Sequence, residues 1–306
     1  MLYITYENEI GKLNLTGGSG RSPWHIIEAE GLGLTGKSYD TATFPGTVGQ
    51  QTLSENVEPR TIIIQCDVHM LGGSRNEVTK ALRILNHPGT LTIRDGIRAR
   101  KINARCTNSA EGERNGGYKV FAFQFVCDYP YFEDCHITSV PVFKPENLIG
   151  NGIRWYLDGD GKLASESGIT EGAFKLPCIF TRRISSSDVF NFGDVECEPV
   201  IRITVQGSQR TDVAAKRLII TNTSTNQQLI LNYAAQEGDE ITIDIPNRKI
   251  FDQKGTNLIS YLDSSSFLSD FWLQKNDNII TVKNEITDFC LVICEFSNKY
   301  IEAVIE

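Results

Sequence analysis

A chain of 306 residues, 40% hydrophobic and 22% charged, carries enough apolar material for two ordinary domains, and no apolar run approaches the ~18–20 residues of a membrane helix. Thirty Lys and Arg against 38 Asp and Glu leave a net charge of −8, unevenly placed: residues 1–140 hold 14 basic and 15 acidic side chains (−1), and the remainder hold 16 and 23 (−7). An acidic second half repels phosphate backbones, which argues against general nucleic-acid binding.

The first residues, MLYITYENEIGKLNL, lack the basic lead and apolar core of a signal peptide, so cytoplasmic synthesis without export is expected. Residues 31–38, GLGLTGKS, then fit the phosphate-loop pattern G-x-x-x-x-G-K-[ST] through Gly31, Gly36, Lys37 and Ser38. Such a loop works only where a helix leaves it and points backbone N–H groups at the phosphates. Here YDTATFPGTVGQ follows, with β-favouring Thr41, Thr43 and Phe44 and then Pro45-Gly46. TIIIQCD could pose as the strand ending in a magnesium-binding Asp67, but no alternation of strands and helices follows to build a parallel sheet. The glycines are therefore expected to serve turns between antiparallel strands.

One helix stands out, in GSRNEVTKALRILNHPG. Ser74 and Glu77 form a capping box, Val78, Ala81, Leu82 and Leu85 recur at helical spacing, and His87-Pro88-Gly89 ends it. The basic run Arg94–Arg105 has no aromatic for base stacking and reads as a solvated strand face. Elsewhere short runs such as RTIIIQCDV, VFAFQFVCD, VIRITVQG, RLIITNT and DEITIDIP, parted by turn residues, predict antiparallel sheets.

A Pro-rich break at residues 138–150 divides the chain into 1–140 and 141–306. Beyond it, WYLDGDGKLAS predicts a hairpin around an Asp-Gly turn. A calcium reading of Asp158, Asp160 and Gly161 fails because an EF-hand loop wants Gly at Leu163 and an acid at Ile169. SSSFLSDFWL, residues 264–273, reads equally as a helix or as a loop packing Phe267, Phe271 and Trp272. The eight cysteines are scattered and mostly strand-embedded, which predicts buried free thiols. Cys290 and Cys294 would share a strand face ~13 Å apart, too far to hold one metal ion. No G-x-S-x-G elbow exists among the serines, and the four histidines form no catalytic pattern, so no enzyme activity, cofactor or metal site is expected.

The stretch VFNFGDVECEPVIRITVQG, residues 189–207, places Asn-x-Gly-Asp before a Pro-led strand in which Ile201, Ile203 and Val205 alternate with polar residues. It resembles the opening of the C-terminal domain in the distal tail protein family of long-tailed bacteriophages. LIITNTSTNQQLILNY, GDEITIDIPNRKIFDQKGTNLISYL and FWLQKNDNIITV follow in the matching order. In the first half TFPGTVGQ, PRTIIIQCDV, ALRILNHPG and FAFQFVCDYPYF resemble that family's Pro-Gly loop, following strand, helix end and closing strand. Residues 145–180 match nothing and are read as an insertion.

The resemblance implies a mainly β chain. Its N-terminal β-barrel or sandwich domain, 1–140, would carry one helix and form a hexameric ring, and its C-terminal domain, 141–306, would be a galectin-like antiparallel β-sandwich. It implies a structural virion protein of the tail tip or baseplate, assembled in the host cytoplasm and not inserted in a membrane. Partners would be further copies of itself, the tail tube protein, the tail hub or tail-associated protein, and the tape measure and receptor-binding proteins. DNA would pass through the channel without specific binding. Ring contacts are expected on an exposed loop from Phe44 to Val57, with Phe44, Pro45, Gly46, Gly49 and Val57 as candidates. The alternative is a carbohydrate-binding β-sandwich for host-surface attachment, with Trp155, Tyr156 and Trp272 as stacking platforms.

Overall fold

Apolar–polar alternation turns most of this chain into antiparallel strands, and the computed structural model describes residues 2–15, 22–46, 48–69, 74–143, 156–157, 163–164, 184–206, 216–286 and 290–303. Two units form: Met1–His136 together with Ser297–Glu306, and Ile137–Phe296. No helix among the described residues is long and apolar enough to cross a membrane.

The first unit begins with β1 (Leu2–Asn8), β2 (Gly11–Asn14), β3 (Trp24–Glu30), β4 (Lys37–Ala42), β5 (Gln51–Val57) and β6 (Arg60–His69). Helix α1 (Ser74–Leu85) follows, then β7 (Gly89–Asp95), β8 (Arg98–Asn115), β9 (Tyr118–Cys127) and β10 (Phe132–Asp134). The main strand order is β2-β1-β7-β8-β9-β6-β3. Strand β8 makes the corner. Its first half, to Ala104, pairs with β7, and its second half, from Arg105, pairs with β9 through register slips at Cys106/Asn108 and Glu111/Arg114. The two halves of the sheet thereby face each other across one core, where Tyr6 of β1 meets Phe125 of β9 at 5.2 Å between ring centres. The sheet does not close: β2 and β3 end the order, so of the expected barrel or sandwich it is the sandwich-like arrangement that forms.

Helix α1 spans the expected residues, but its buried face is turned. Ala81, Ile84 and Leu85 are buried and Val78 packs against them, whereas Leu82 is 39% exposed. Positions 78, 81 and 85 share one stripe on a 3.6-residue period. Position 84 lies on one flank of that stripe and 82 on the other, and packing chose Ile84. The Ser74 side chain lies outside the described residues. Ile84→Ala should therefore destabilise the first unit by about 2–4 kcal/mol. Leu82→Ala should cost under about 1 kcal/mol in the same chemical unfolding series; a reversed order would contradict this packing.

The second unit contains β11 (Thr138–Phe143), β12 (Tyr156–Leu157), β13 (Leu163–Ala164), β14 (Ile184–Asn191), β15 (Val200–Val205) and β16 (Leu218–Asn222). It continues through β17 (Gln227–Leu231), β18 (Glu240–Asp244), β19 (Lys249–Asp252), β20 (Asn276–Asn284) and β21 (Cys290–Phe296). Sheets β11-β21-β15-β18-β19 and β14-β20-β16-β17 enclose one apolar core that includes Ile201, Ile203, Ile220, Ile243, Val282 and Val292. Strands β12 and β13 pair as the expected hairpin; their turn, the calcium candidates and most of residues 145–180 lie outside the described residues. Residues 264–273 contain only a 3₁₀ turn at Leu268–Asp270, with Phe271 buried and Phe267 exposed, so the loop alternative is the one that forms.

The Asn-x-Gly-Asp stretch has a structural reason. Asn191 is fully buried at the end of β14; its Oδ1 accepts from Gly193 N at 2.9 Å, and its Nδ2 donates to Val195 O at 2.9 Å and Leu273 O at 3.3 Å. One amide side chain thus shapes the turn and ties it to the chain at Leu273. Buried Asn278 and Asn222 on β20 and β16 continue the polar row, joined at 3.1 Å. Satisfied buried amides of this kind specify register, because a shifted strand would leave them unpaired.

None of the seven described cysteines forms a disulfide. Burial pushes the Cys66 and Cys290 thiols up to about 12 and Cys127 to about 11, so these groups stay protonated at neutral pH. Cys290 and Cys294 share the inward face of β21 as expected. Cys178 lies outside the described residues.

The last short strand, β22 (Lys299–Tyr300), pairs with β10, Phe132 opposite Tyr300 and Glu133 opposite Lys299. It belongs to the first unit.

Candidate assembly surface

Residues 37–57 fold back on themselves as a two-stranded arm, β4 against β5. Lys37 stands opposite Val57, Tyr39 opposite Glu55 and Ala42 opposite Gln51, with an irregularity at Asp40/Thr41 that leaves Leu53 as the extra residue of a bulge. Almost every arm side chain is exposed, so no core holds the arm in shape. Cross-strand polar contacts do so instead: the Lys37 ammonium engages the Glu55 carboxylate, which raises the lysine's pKa, and Thr41 Oγ1 donates to Gln50 Oε1 at 3.2 Å.

The five expected contact residues do not form one patch. Phe44, Pro45, Gly46 and Gly49 belong to the turn at the tip, where both glycines adopt positive φ (+86° and +94°). Val57 ends β5 at the base, about 20 Å away along a seven-residue strand. What was read as one loop is half strand, because Leu-Ser-Glu-Asn-Val shows no apolar alternation to betray β5. Sequence reading also missed the apolar side chains on the arm and at its root: Tyr39 is 52%, Leu53 63% and Leu34 81% exposed. These large apolar groups stand in solvent with no core of the first unit to cover them.

The phosphate-loop pattern lies at the root of this arm, and geometry accounts for its glycines. A strand, not a helix, leaves Ser38. Gly31 has φ +80°, and a Cβ there would stand 2.1 Å from Thr61 O on β6. Gly36 accepts from Glu58 N at 3.0 Å, closing the two legs, and its missing side chain leaves room for the Glu58 carboxylate. Gly31→Ala should accordingly cost about 2–4 kcal/mol, read by thermal or chemical unfolding of the first unit. A neutral result would mean that this close approach is not maintained.

Arg60, where the second leg rejoins the sheet, is 2% exposed. Its Nε donates to Pro130 O at 2.7 Å, Nη1 to Gly31 O at 2.7 Å and Gly33 O at 2.6 Å, and Nη2 to Ile301 O. The Phe132 ring lies 4.6 Å from its guanidinium carbon. Burial lowers its pKa from the usual arginine value, and the carbonyl cradle satisfies the charge without a carboxylate among its described partners.

Of the stacking set of the alternative reading, Trp272 alone has a described side chain. Trp272 is half-buried, its backbone N–H held by Gln227 Oε1 at 3.1 Å, while Trp155 and the Tyr156 side chain lie outside them. No group of three or more His, Cys, Asp or Glu among the described residues could hold a metal ion.

The overall fold, a bent β unit with one helix followed by a two-sheet unit, is shared with solved phage tail and baseplate proteins. Residues 192–300 match the family model of the siphovirus-type tail component, C-terminal domain, a span that begins one residue after Asn191, inside the turn its side chain seats. Among solved structures the chain is similar to SPP1 Dit, described as a paradigm of the hub adsorption apparatus in phages infecting Gram-positive hosts. That match has 14% identity and a TM-score of 0.66, over 98% of this chain and 99% of that one. It is also similar to a chain of the phage p2 baseplate in its activated conformation with Ca, at 10% identity and a TM-score of 0.51 over 96% and 97%. No curated protein sequence matches the chain significantly. The resemblance to the distal tail family thus has support from two sides, sequence in the C-terminal segment and fold along nearly the whole chain.

Proposed function

We propose that this chain is a structural virion protein of the distal tail, one subunit of a hexameric ring that joins the tail tube to the hub or baseplate and its adsorption apparatus. The observation that carries the reading is the fold likeness over 98% of the chain, coupled with the family-model match at residues 192–300. Residues 1–140, joined by the returning C-terminal segment, supply the ring. The second unit, Ile137–Phe296, holds 15 basic and 21 acidic side chains (−6), a balance suited to contact with solvent. A ring around a channel closes by rotation, so one surface of each subunit meets a different surface of the next. The β4–β5 arm is the first of those surfaces: its tip carries Phe44, Pro45, Gly46 and Gly49, its shaft Tyr39 and Leu53, and Val57 sits at its base.

Its work is docking and not catalysis, and it needs no cofactor. Its partners are further copies of itself, the tail tube protein, the tail hub or tail-associated protein, and the tape measure and receptor-binding proteins; DNA passes through the opening without specific contact. Gold-labelled antibody against the chain should mark the distal tip of the tail in intact virions. Label confined to capsids, or to free protein in the lysate, would contradict the reading.

A further inference from the structure

The base of the arm is held by a part of the chain that sequence places 241 residues from Arg60. Beyond β22, Ala303 is fully buried in the first unit's core, and its N–H donates to Leu32 O at 2.8 Å, between the two glycine carbonyls that Arg60 grips. Ile301 O is itself an Arg60 acceptor. The approach to this point is fastened as well. Asn298 Nδ2 and Tyr300 Oη both donate to Asp134 Oδ2, at 2.8 and 3.1 Å. Arg100 Nη1 donates to Glu302 O at 2.6 Å, and its guanidinium carbon lies 3.6 Å from the Tyr300 ring centre.

One guanidinium therefore joins four things: the incoming leg of the arm (Gly31 and Gly33), the outgoing leg (Arg60 itself), the chain at Pro130 after β9, and the C-terminal segment. We propose that residues 298–303 are a clasp, pinned by Arg60, that fixes the direction in which the β4–β5 arm leaves the first unit, so that assembly through the arm depends on the far C-terminus. The role in assembly rests on the ring reading above; the role at the arm's base does not. Leverage makes the clasp matter. With an arm of about 20 Å, a rotation of about 10° at the base moves the tip by about 3–4 Å, one strand residue's worth of register. The arm has no core of its own to resist such a swing.

The test uses full-length chain carrying Arg60→Lys, which keeps the charge but loses the planar fork. Arg100→Met, which loosens only the outer fastening at Glu302 and Tyr300, serves as a second, milder variant. Hydrogen exchange reads the Glu58 amide, which bonds Gly36 O across the arm's base, against the β9 amides as a check on folding; light scattering reads assembly. With β9 protection unchanged, Glu58 exchange should rise ~10-fold in Arg60→Lys and ~3-fold in Arg100→Met, and the assembled fraction should fall in the same order. If Arg60→Lys loses β9 protection, Arg100→Met alone decides. Unchanged Glu58 exchange in a folded variant would overturn the clasp. Undiminished assembly alongside faster exchange would overturn its role in assembly. A wild-type chain that never assembles, yet shows the exchange response, would overturn the ring reading and leave the clasp at the arm's base standing.

Discussion

Phe123→Ala is expected to destabilise the first unit by about 3–5 kcal/mol. The side chain is fully buried at the middle of β9, where the two halves of the bent sheet meet. Trp24 approaches it edge-on at 5.5 Å and Phe121 stacks at 6.1 Å, so truncation removes aromatic contacts as well as buried area. The surrounding strands are fixed by β6 on one side and β8 on the other, which limits collapse into the cavity. Trp24 is the only tryptophan of the first unit, and its emission follows this unit's unfolding in denaturant. A loss below about 1 kcal/mol would mean that β9 does not centre the core.

The second large effect concerns assembly and leaves stability almost untouched. Replacing residues 43–50 by a two-residue Asn-Gly turn should convert ring-forming chain to monomer. It should also change the first unit's unfolding free energy by less than about 0.5 kcal/mol, since no described side chain of the arm is buried in the core. Light scattering across a concentration series reads the first outcome and chemical unfolding the second. Rings persisting without the tip would place the contact elsewhere; a large stability loss would mean that the arm is part of the fold.

Legibility in the sequence followed the range of the forces involved. Helix α1 could be read because capping, periodicity and a Pro-Gly stop are local signals, but its buried face could not be fixed to better than one position. Ile84 and Leu82 flank the same stripe, and only the strands beneath choose between them. Strand β15 announced itself by alternation, and β6 and β9 as apolar β-branched or aromatic runs bounded by turn residues. The second half of β8 and all of β5 did not, because both are exposed polar strands defined by a neighbour's hydrogen bonds.

Turns between antiparallel strands are what the sequence predicts for the glycines of GLGLTGKS, and Gly31 at φ +80° suits one; its close approach to Thr61 O and the position at the root of an arm depend on distant strands and have no local signal. Arg60 gave no signal at all: its acceptors are backbone carbonyls, which every residue carries, and they come from three distant segments. Of the proposed contact set, the tip was legible because glycine and proline mark a turn, whereas Tyr39 and Leu53 look like ordinary strand residues until their exposure is seen.

Negative-stain microscopy of the purified full-length chain at high concentration tests the central claim most directly. Closed six-fold rings with an open centre are the predicted result. Uniform monomers at every concentration, or two-fold dimers joined face to face without a central opening, would contradict it.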